Sequence, residues 1–275
     1  MSRLHSVFPG LPLPRFASQP LPLPSPIPTP EQLRSIPILL EPSPADTFEP
    51  RFVINRARTY TVVGGSKPFV ELTPEQQTFL APSYQVIQTV AKRLSDQGYA
   101  VLTGGCPGIP HHAAWAAAPE NSYVIHVSNP DWLHLKNDRE GQAGGLYRPF
   151  ASVDTGVART QAFNRNSRVM IVAPGGIGTL EEIAVTLNNM YYGLPDAPDF
   201  VVFLDRQYYG ALDRLFNQMI QSGMAKDRLK DKYAFVDVAP DRLEESVQAV
   251  MGYVTGALRP QQNQQPTYGN LLLRA

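Results

Sequence analysis

The chain has 275 residues, of which 43% are hydrophobic, enough for a sizeable core in one large domain or two small ones. Its 24 lysines and arginines balance 24 aspartates and glutamates, so no overall field favours nucleic acid or an anionic membrane as a partner. A single cysteine, Cys106, excludes an intramolecular disulfide framework and a thiolate zinc cluster. Because no apolar run approaches the length of a membrane span and no signal-peptide core is visible, we expect a cytoplasmic protein.

The N-terminal part of the chain is rich in proline. Thirteen of the 27 prolines fall within residues 1–50. Alternating prolines remove backbone donors and disfavour helix at each preceding residue, so residues 1–57 are predicted to form an extended or disordered arm. Docking of this arm into a partner's aromatic groove, or packing over a neighbouring subunit, are the alternatives. Residues 257–275, which include a glutamine-rich run, are predicted to form a flexible tail.

Residues 58–256 alternate between short apolar runs and amphipathic stretches. The predicted strands, in chain order, span residues 59–63, 99–103, 122–127, 169–173, 200–204 and 233–238. The predicted helices span residues 83–97, 112–118, 156–166, 179–191, 211–222 and 243–253, and residues 128–155 are expected to be irregular. This order predicts an α/β, Rossmann-like fold, a doubly wound parallel sheet with helices on both faces. Ligands of such sheets bind beyond the carboxyl ends of the strands.

The stretch Pro174-Gly-Gly-Ile-Gly-Thr-Leu-Glu-Glu182 joins a predicted strand to a predicted helix. Three glycines allow the backbone to approach a phosphate, and the free N–H groups and dipole of the helix N-terminus then face it. The predicted phosphate-binding residues are Gly175, Gly176, Gly178 and Thr179, with the carboxylate of Glu182 nearby. A plain tight turn is the alternative. Thr179 and Glu182 also have the spacing of a capping box, in which they would only cap the helix.

Glycine pairs follow two further predicted strands. Because the carboxyl ends of parallel strands meet at one edge of the sheet, these turns are expected to surround the same phosphate or ribose site. The candidate binding residues in them are Gly65, Ser66, Gly104, Gly105 and Gly108. Each turn is a weak signal by itself, since a glycine turn often only closes a tight connection, and a solvated loop is the alternative for Ser66.

These residues resemble the LOG ("lonely guy") family of nucleoside 5′-monophosphate phosphoribohydrolases. Residues 174–182 look like its PGGxGTxxE signature, residues 102–109 are similar to its second glycine loop, and residues 203–209 resemble its strand–LDxxGYY segment. The resemblance covers about residues 58–254. It implies hydrolysis of an AMP-like nucleotide, including N6-modified nucleotides of the cytokinin type, to base and ribose 5-phosphate. It further implies a homodimer and no metal or other cofactor.

The family also places an arginine fifteen residues before the signature proline, and Arg159 stands there. A permanently charged guanidinium would bind phosphate or ribose, or assist the departing base. The carboxylate of Glu182 would stabilise the positive charge that develops on the ribose ring, or orient the attacking water. Pairing with a surface acid is the alternative for Arg159. On an ideal helix, Arg165 and Arg168 point away from Arg159, and we expect Arg168 and Glu181 to be solvated.

Four positions depart from the family pattern: Thr160, Cys106 and the pair His111–His112. These departures affect the expected base and substrate preference more than the expected reaction. Cys106 is interpreted as a packing residue because the sequence places no general base for it, and the histidines lack the ligand spacing of a metal site. The alternative function is that of a non-catalytic protein of the same fold, binding a nucleotide or molybdenum cofactor without turnover.

Overall fold

The structure, a computed structural model, describes residues 53–127 and 148–258. The predictions for residues 1–52, for residues 128–147 and for the tail from residue 259 lie outside the described residues. Within the described ranges, no helix combines the length and the apolar character needed to cross a membrane.

A seven-stranded sheet forms the centre of the domain, and every pair of neighbouring strands in it is parallel. Its strands are β1 (Thr59–Val63), β2 (Ala100–Thr103), β3 (Ser122–Val127), β4 (Arg148–Val153), β5 (Val169–Val172), β6 (Phe200–Leu204) and β7 (Tyr233–Val236). Their order across the sheet is β4-β3-β2-β1-β5-β6-β7. The chain therefore builds outward in one direction as far as β4 and in the other from β5. The switch point lies between β1 and β5, and the α/β, Rossmann-like prediction is confirmed.

Helices cover both faces of the sheet. They are α1 (Pro74–Asp96), α2 (Ile109–Ala116), α3 (Gly156–Asn166), α4 (Ile177–Tyr192), α5 (Arg206–Gln221) and α6 (Leu243–Leu258). Helices α1, α2 and α6 pack on one hydrophobic core, and α3, α4 and α5 pack on the other. Alternate strand residues feed the two cores, so that Val202 packs on the first and Phe203 on the second.

The seventh strand, β4, lies within the region that was predicted to be irregular. It is an edge strand that pairs only with β3, and the register shifts between Val124 and Ile125. Its second residue, Pro149, has no N–H to give to a ladder, which is typical of edge strands. A proline within a six-residue run therefore concealed the strand in the sequence.

Four helices begin earlier than predicted, because the signals at their first turns outweigh nearby helix breakers. Helix α1 begins nine residues before Ser83, where the Thr73 side chain and Gln76 form a capping box, and it continues through Pro82. Helix α5 begins at Arg206, where the Asp205 side chain accepts a hydrogen bond from the N–H of Tyr208. Helices α2 and α4 follow directly on glycine N-caps.

The packed domain extends slightly beyond both predicted limits. Ile54 belongs to the core, and the Nη2 atom of Arg56 donates to the carbonyl of Ala197 at 2.7 Å, so packing begins before residue 58. Helix α6 runs to Leu258, two residues past the predicted boundary at residue 256. The arm and the tail themselves stay predictions.

Phe203→Ala is expected to lower the free energy of unfolding by about 3–5 kcal/mol, the usual cost of deleting a buried ring. Phe203 is fully buried, stacks on Phe235 at 4.6 Å between ring centroids, and meets Tyr209 edge-on at 5.3 Å. Equilibrium urea unfolding measures the change. Val70→Ala, at a residue that is 74% exposed, is the control and should be nearly neutral. A loss below about 1 kcal/mol for Phe203→Ala would count against this packing.

Candidate active site

A cavity of about 250 Å³ lies at the carboxyl ends of β1 and β5, which is the switch point of the sheet. The structure places seven of the predicted site residues on its lining: Ser66, Gly104, Arg159, Gly176, Gly178, Thr179 and Glu182. Gly64, Cys106, Pro110 and Ile177, which were not predicted to contact a ligand, line it as well. Residues from four segments distant in sequence therefore meet in one cavity.

The N-terminus of α4 opens into this cavity without a side-chain cap. Helices α1, α3 and α5 are capped by the side chains of Thr73, Thr155 and Asp205, whereas the N-cap of α4 is Gly176. The first N–H groups of a helix have no intrahelical acceptor. Because Gly176 brings no side-chain oxygen, the N–H groups of the first turn of α4 are oriented for an anion.

The capping-box alternative for residues 179–182 is wrong. Thr179 is the third residue of α4 and not its N-cap, and its side chain is buried against the turn. Glu182, one turn further along, bonds to Arg159 rather than to the start of the helix. Because α4 already begins at Ile177, Glu182 lies in its second turn and cannot cap its start. The Glu182 side chain lines the cavity instead.

Arg159 and Glu182 form a buried ion pair between α3 and α4. The Nη2 atom of Arg159 donates to Oε1 of Glu182 at 3.2 Å, and the two residues are only 8% and 7% exposed. A Cβ atom at Gly104 would come within 3.0 Å of the Arg159 guanidinium, so this glycine makes room for it. The sulfur of Cys106 lies 3.7 Å from Nη1 of Arg159. The alternative of a surface arginine is therefore excluded.

The burial of the pair changes its protonation. Burial raises the pKa of Glu182 to about 7, against the opposing effect of the positive charge on Arg159, while nearby Glu181 adds to the increase. The carboxyl group can therefore exchange a proton near neutral pH. Burial also raises the pKa of the Cys106 thiol, again opposed by Arg159, and this favours the uncharged thiol of a packing residue over a nucleophile.

Four of the predicted glycines lie behind the lining and hold the turns together. Gly65 donates from its N–H to the carbonyl of Pro174 at 2.9 Å. A Cβ atom at Gly108, where φ is +81°, would lie 2.4 Å from the Gly65 carbonyl oxygen. Cβ atoms at Gly105 and Gly175 would likewise collide, with Val124 and Thr179 respectively. Contact of these four glycines with a ligand stays a prediction.

Three other charged residues discussed from the sequence, Arg165, Arg168 and Glu181, are not part of the cavity lining. The Nε atom of Arg165 pairs with Asp196 at 3.4 Å, away from the lining. Arg168 is not solvated as expected, because it follows the end of α3 and forms an ion pair with Asp199 at the start of β6. Glu181 is only partly exposed. Within residues 53–127 and 148–258, no group of three or more histidines, cysteines or acids is placed to hold a metal ion.

The two tyrosines at the start of α5 contact the glycine-rich turn between β5 and α4 (residues 173–176), which the sequence did not reveal. The hydroxyl of Tyr208 donates to the carbonyl of Gly175 at 2.6 Å, and that of Tyr209 donates to the carbonyl of Ala173 at 2.8 Å. The resemblance of residues 203–209 to a family segment was the available signal, but it assigned no contact. The adjacency of β5 and β6 brings the tyrosines there.

Two family models match overlapping parts of the chain. A model described as "possible lysine decarboxylase" matches residues 144–247, and the model of the SLOG cluster 4 family matches residues 62–192. Between residues 62 and 247, the chain is similar to the LOG-like (SLOG) family. The resemblance inferred from the glycine motifs is thus confirmed at the level of the family. No curated protein matches the sequence significantly.

Several solved structures are similar to the chain. A molybdenum cofactor binding protein from Rippkaea orientalis shares 18% identity over 70% of this chain and 95% of that chain, with a TM-score of 0.39. The structural-genomics target TM1055 shares 21% identity over 70% and 98%, with a TM-score of 0.44. DNA processing protein A from Helicobacter pylori, described as binding single-stranded DNA, shares 14% identity over 76% and 97%, with a TM-score of 0.41.

Glu182→Gln is expected to change the pH dependence of stability. The folded-state pKa of about 7 is above the ordinary value of 4.5, so the folded chain binds more protons than the unfolded chain and the free energy of unfolding falls as the pH rises through this interval. Glutamine does not titrate, so the variant should gain on the order of 3 kcal/mol relative to the parent between about pH 4 and pH 8. Urea unfolding at several pH values measures this, and a difference independent of pH would contradict the raised pKa.

Proposed function

We propose that this protein hydrolyses the N-glycosidic bond of a nucleoside 5′-monophosphate, releasing the free base and ribose 5-phosphate. The observation that carries the proposal is the buried contact between Arg159 and Glu182 in the same cavity as the uncapped N-terminus of α4. The ion pair supplies charges for chemistry at a sugar, and the helix supplies donors for a phosphate. The similarity to the LOG-like family favours the same reaction.

The spacing along α4 suits a ribose phosphate. We place the 5′-phosphate against the N–H groups of Gly178 and Thr179, in the first turn. Glu182 lies three residues beyond Thr179, a rise of about 5 Å along the helix axis. A ribose bound through its phosphate would thus present its ring to the carboxylate. Ser66 also lines the cavity, and in this proposal its side chain contacts phosphate or ribose.

The reaction adds water across the bond between C1′ and the base nitrogen. As this bond breaks, positive charge develops on C1′ and the ring oxygen, and the ionised carboxylate of Glu182 stabilises it. The oxygen of the water binds C1′, and its two protons end on the new ribose hydroxyl and on the base. Because its pKa is near 7, Glu182 is suited to accept a proton from the attacking water. Arg159 stays charged and restrains the carboxylate while hydrogen-bonding the substrate.

Amino-acid decarboxylation, the activity in one model's description, fits the site less well. Such enzymes commonly hold pyridoxal phosphate as a Schiff base on a lysine. Among the described residues that line the cavity there is no lysine. Lys67, two residues past the turn that follows β1, is exposed and lies outside the lining.

A binding role without turnover is the rival function. The phosphate-binding turn alone would serve a protein that holds a nucleotide or the molybdenum cofactor. Such a protein has no need of a buried arginine beside a carboxylate with a raised pKa. Burying two charges costs free energy, and strongly shifted pKa values cluster at catalytic sites. We therefore favour hydrolysis over binding alone.

Release of free base from nucleoside monophosphates is the expected result of the decisive assay. The full-length protein is incubated with AMP, GMP, CMP, UMP and N6-substituted AMP, and the base is separated by chromatography. The nucleosides without phosphate are expected to react far more slowly, because they lack the group that the α4 N-terminus binds. Folded protein that releases no base from any of these nucleotides would refute the proposed activity, and binding of a nucleotide without turnover would support the rival.

Matched variants locate the chemistry. Arg159→Ala and Glu182→Gln are each expected to lower kcat/KM by a factor of about 100 or more, since each removes a charge that acts on the ribose. Arg165→Ala, on the same helix as Arg159 but paired with Asp196, is the control and should stay near the parent rate. Full activity in both site variants would show that another group carries the reaction.

A homodimer is the second part of the proposal. Ile177, Leu180 and Tyr192 lie on one side of α4 and are 82%, 47% and 67% exposed. Such a stripe of apolar side chains favours burial against a second subunit. Sedimentation velocity of the full chain is expected to give about twice the mass of one chain, and Leu180→Glu should shift it toward the monomer. A parent protein that sediments as a monomer at every concentration would contradict the dimer.

A further inference from the structure

In the turn between β5 and α4, where the proposed function places the phosphate, three consecutive carbonyl groups each accept a hydrogen bond. The hydroxyl of Tyr209 donates to the carbonyl of Ala173 at 2.8 Å, and the N–H of Gly65 donates to that of Pro174 at 2.9 Å. The hydroxyl of Tyr208 donates to the carbonyl of Gly175 at 2.6 Å. Neither tyrosine lines the cavity. The carbonyl oxygens before α4 are therefore oriented toward neighbouring loops and α5.

The orientation of these peptides decides whether the turn attracts or repels an anion. In a planar trans peptide the C=O and N–H groups point in opposite directions. Holding the carbonyl of Gly175 toward Tyr208 therefore directs the N–H of Gly176 the other way, and Gly176 is a lining residue. A peptide flip would replace this donor by a carbonyl oxygen, whose partial negative charge repels phosphate.

Packing restricts the peptide between Gly175 and Gly176 on one side only, since a Cβ atom on Gly175 would collide with Thr179. Two glycines flank it, and glycine has the widest choice of backbone conformations. A Cβ atom placed on Gly176 would meet no atom within 4 Å, so its surroundings do not restrict rotation on that side. On the open side of the peptide, the hydrogen bond from Tyr208 to the carbonyl of Gly175 favours one orientation.

A strained backbone conformation at Asp205 positions Tyr208 and Tyr209. Asp205, which precedes α5, has φ of +74° and is the only non-glycine residue with positive φ among the described residues. This conformation costs free energy in a residue with a Cβ atom and persists where the surrounding structure enforces it. Here the Asp205 carboxylate accepts from the N–H of Tyr208, and its own N–H donates to Val236. The strained cap thus starts α5 directly at the end of β6, within reach of the turn.

We propose that Tyr208 is a positioning residue for phosphate binding, whose hydroxyl holds the Gly175–Gly176 peptide with its N–H toward the anion. Tyr209 holds the other end of the turn from the buried side. The inference rests on the placement of the phosphate under the proposed function. It does not depend on hydrolysis, since a protein that only binds a phosphorylated ligand would use the same turn.

Tyr208→Phe removes the hydroxyl and keeps the ring. The variant is expected to bind AMP and ribose 5-phosphate roughly tenfold more weakly by calorimetry, and adenosine as tightly as the parent, because only the phosphate meets the turn. In turnover, KM for the monophosphate should rise more than kcat falls. Tyr253→Phe is the matched control, because this partly exposed tyrosine stacks on Phe200 away from the cavity, and its affinities should not change.

The amide resonance of Gly176 gives a second measurement on the same proteins. Addition of inorganic phosphate is expected to shift it strongly in the parent and in Tyr253→Phe, and weakly in Tyr208→Phe. Thermal unfolding of each variant checks that the fold is kept. Parent-like affinity for AMP in folded Tyr208→Phe would overturn the inference, as would an equal loss for AMP and adenosine.

The outcomes also separate this inference from the proposed function. Parent protein that binds AMP but releases no base, together with weaker AMP binding in Tyr208→Phe, would refute hydrolysis and leave the role of Tyr208 intact. Parent protein that binds neither AMP nor ribose 5-phosphate nor inorganic phosphate would overturn both the role of Tyr208 and the placement of the phosphate.

Discussion

The buried ion pair between Arg159 and Glu182 is the interaction on which the rest of the site depends. Removing two charges from water costs free energy that their mutual attraction only partly returns, and apolar residues of similar size often stabilise a fold better. The incomplete compensation appears here as the raised pKa of the carboxyl group. A pair of this kind, in an open cavity at a switch point, is better explained by what it does to a ligand than by stability.

The order of the strands brings the pair together. Helix α3 leads into β5 and α4 leads out of it, and both pack on the same face of the sheet. Arg159 near the start of α3 and Glu182 in the second turn of α4 therefore converge over the carboxyl end of β5. Because β1 is the neighbour of β5, the turn after β1 brings Ser66 to the lining of the same cavity. One reversal of the chain order thus sets the positions of the uncapped N-terminus of α4, the carboxylate and the guanidinium.

Much of this arrangement could be predicted from the sequence, for identifiable physical reasons. Strands β1, β3 and β6 have the predicted limits because short apolar runs between turns leave little choice of boundary. The position of Arg159 relative to the glycine signature pointed to the pair, and the structure brings the two side chains into contact. A local signal was misleading at Thr179. The spacing of Thr179 and Glu182 fits a capping box, although the helix has already begun at Ile177.

Other features depend on contacts between distant segments, which one sequence does not encode locally. Nothing near Tyr208 in the sequence identifies the carbonyl of Gly175 as its acceptor, because the contact arises only when β6 pairs with β5. Edge strand β4 was missed for a similar reason. Its proline argues against a strand locally, and only its pairing with β3 defines the strand. Seven glycines of the three turns were predicted to bind the ligand, yet three of them, Gly105, Gly108 and Gly175, leave no room for a side chain because of packing.

That division of the glycines indicates where this site tolerates change. At Gly108 any side chain would collide with the backbone of Gly65. Substitution there would therefore separate the turn after β2 from the turn after β1. At Cys106, which lines the cavity beside Arg159, the chain departs from the family pattern without disturbing the contact with Glu182. Loop-to-loop contacts are thus more constrained than the lining itself. Differences in ligand preference among chains of this fold are therefore expected at lining positions, while the turns that orient the α4 amides stay fixed.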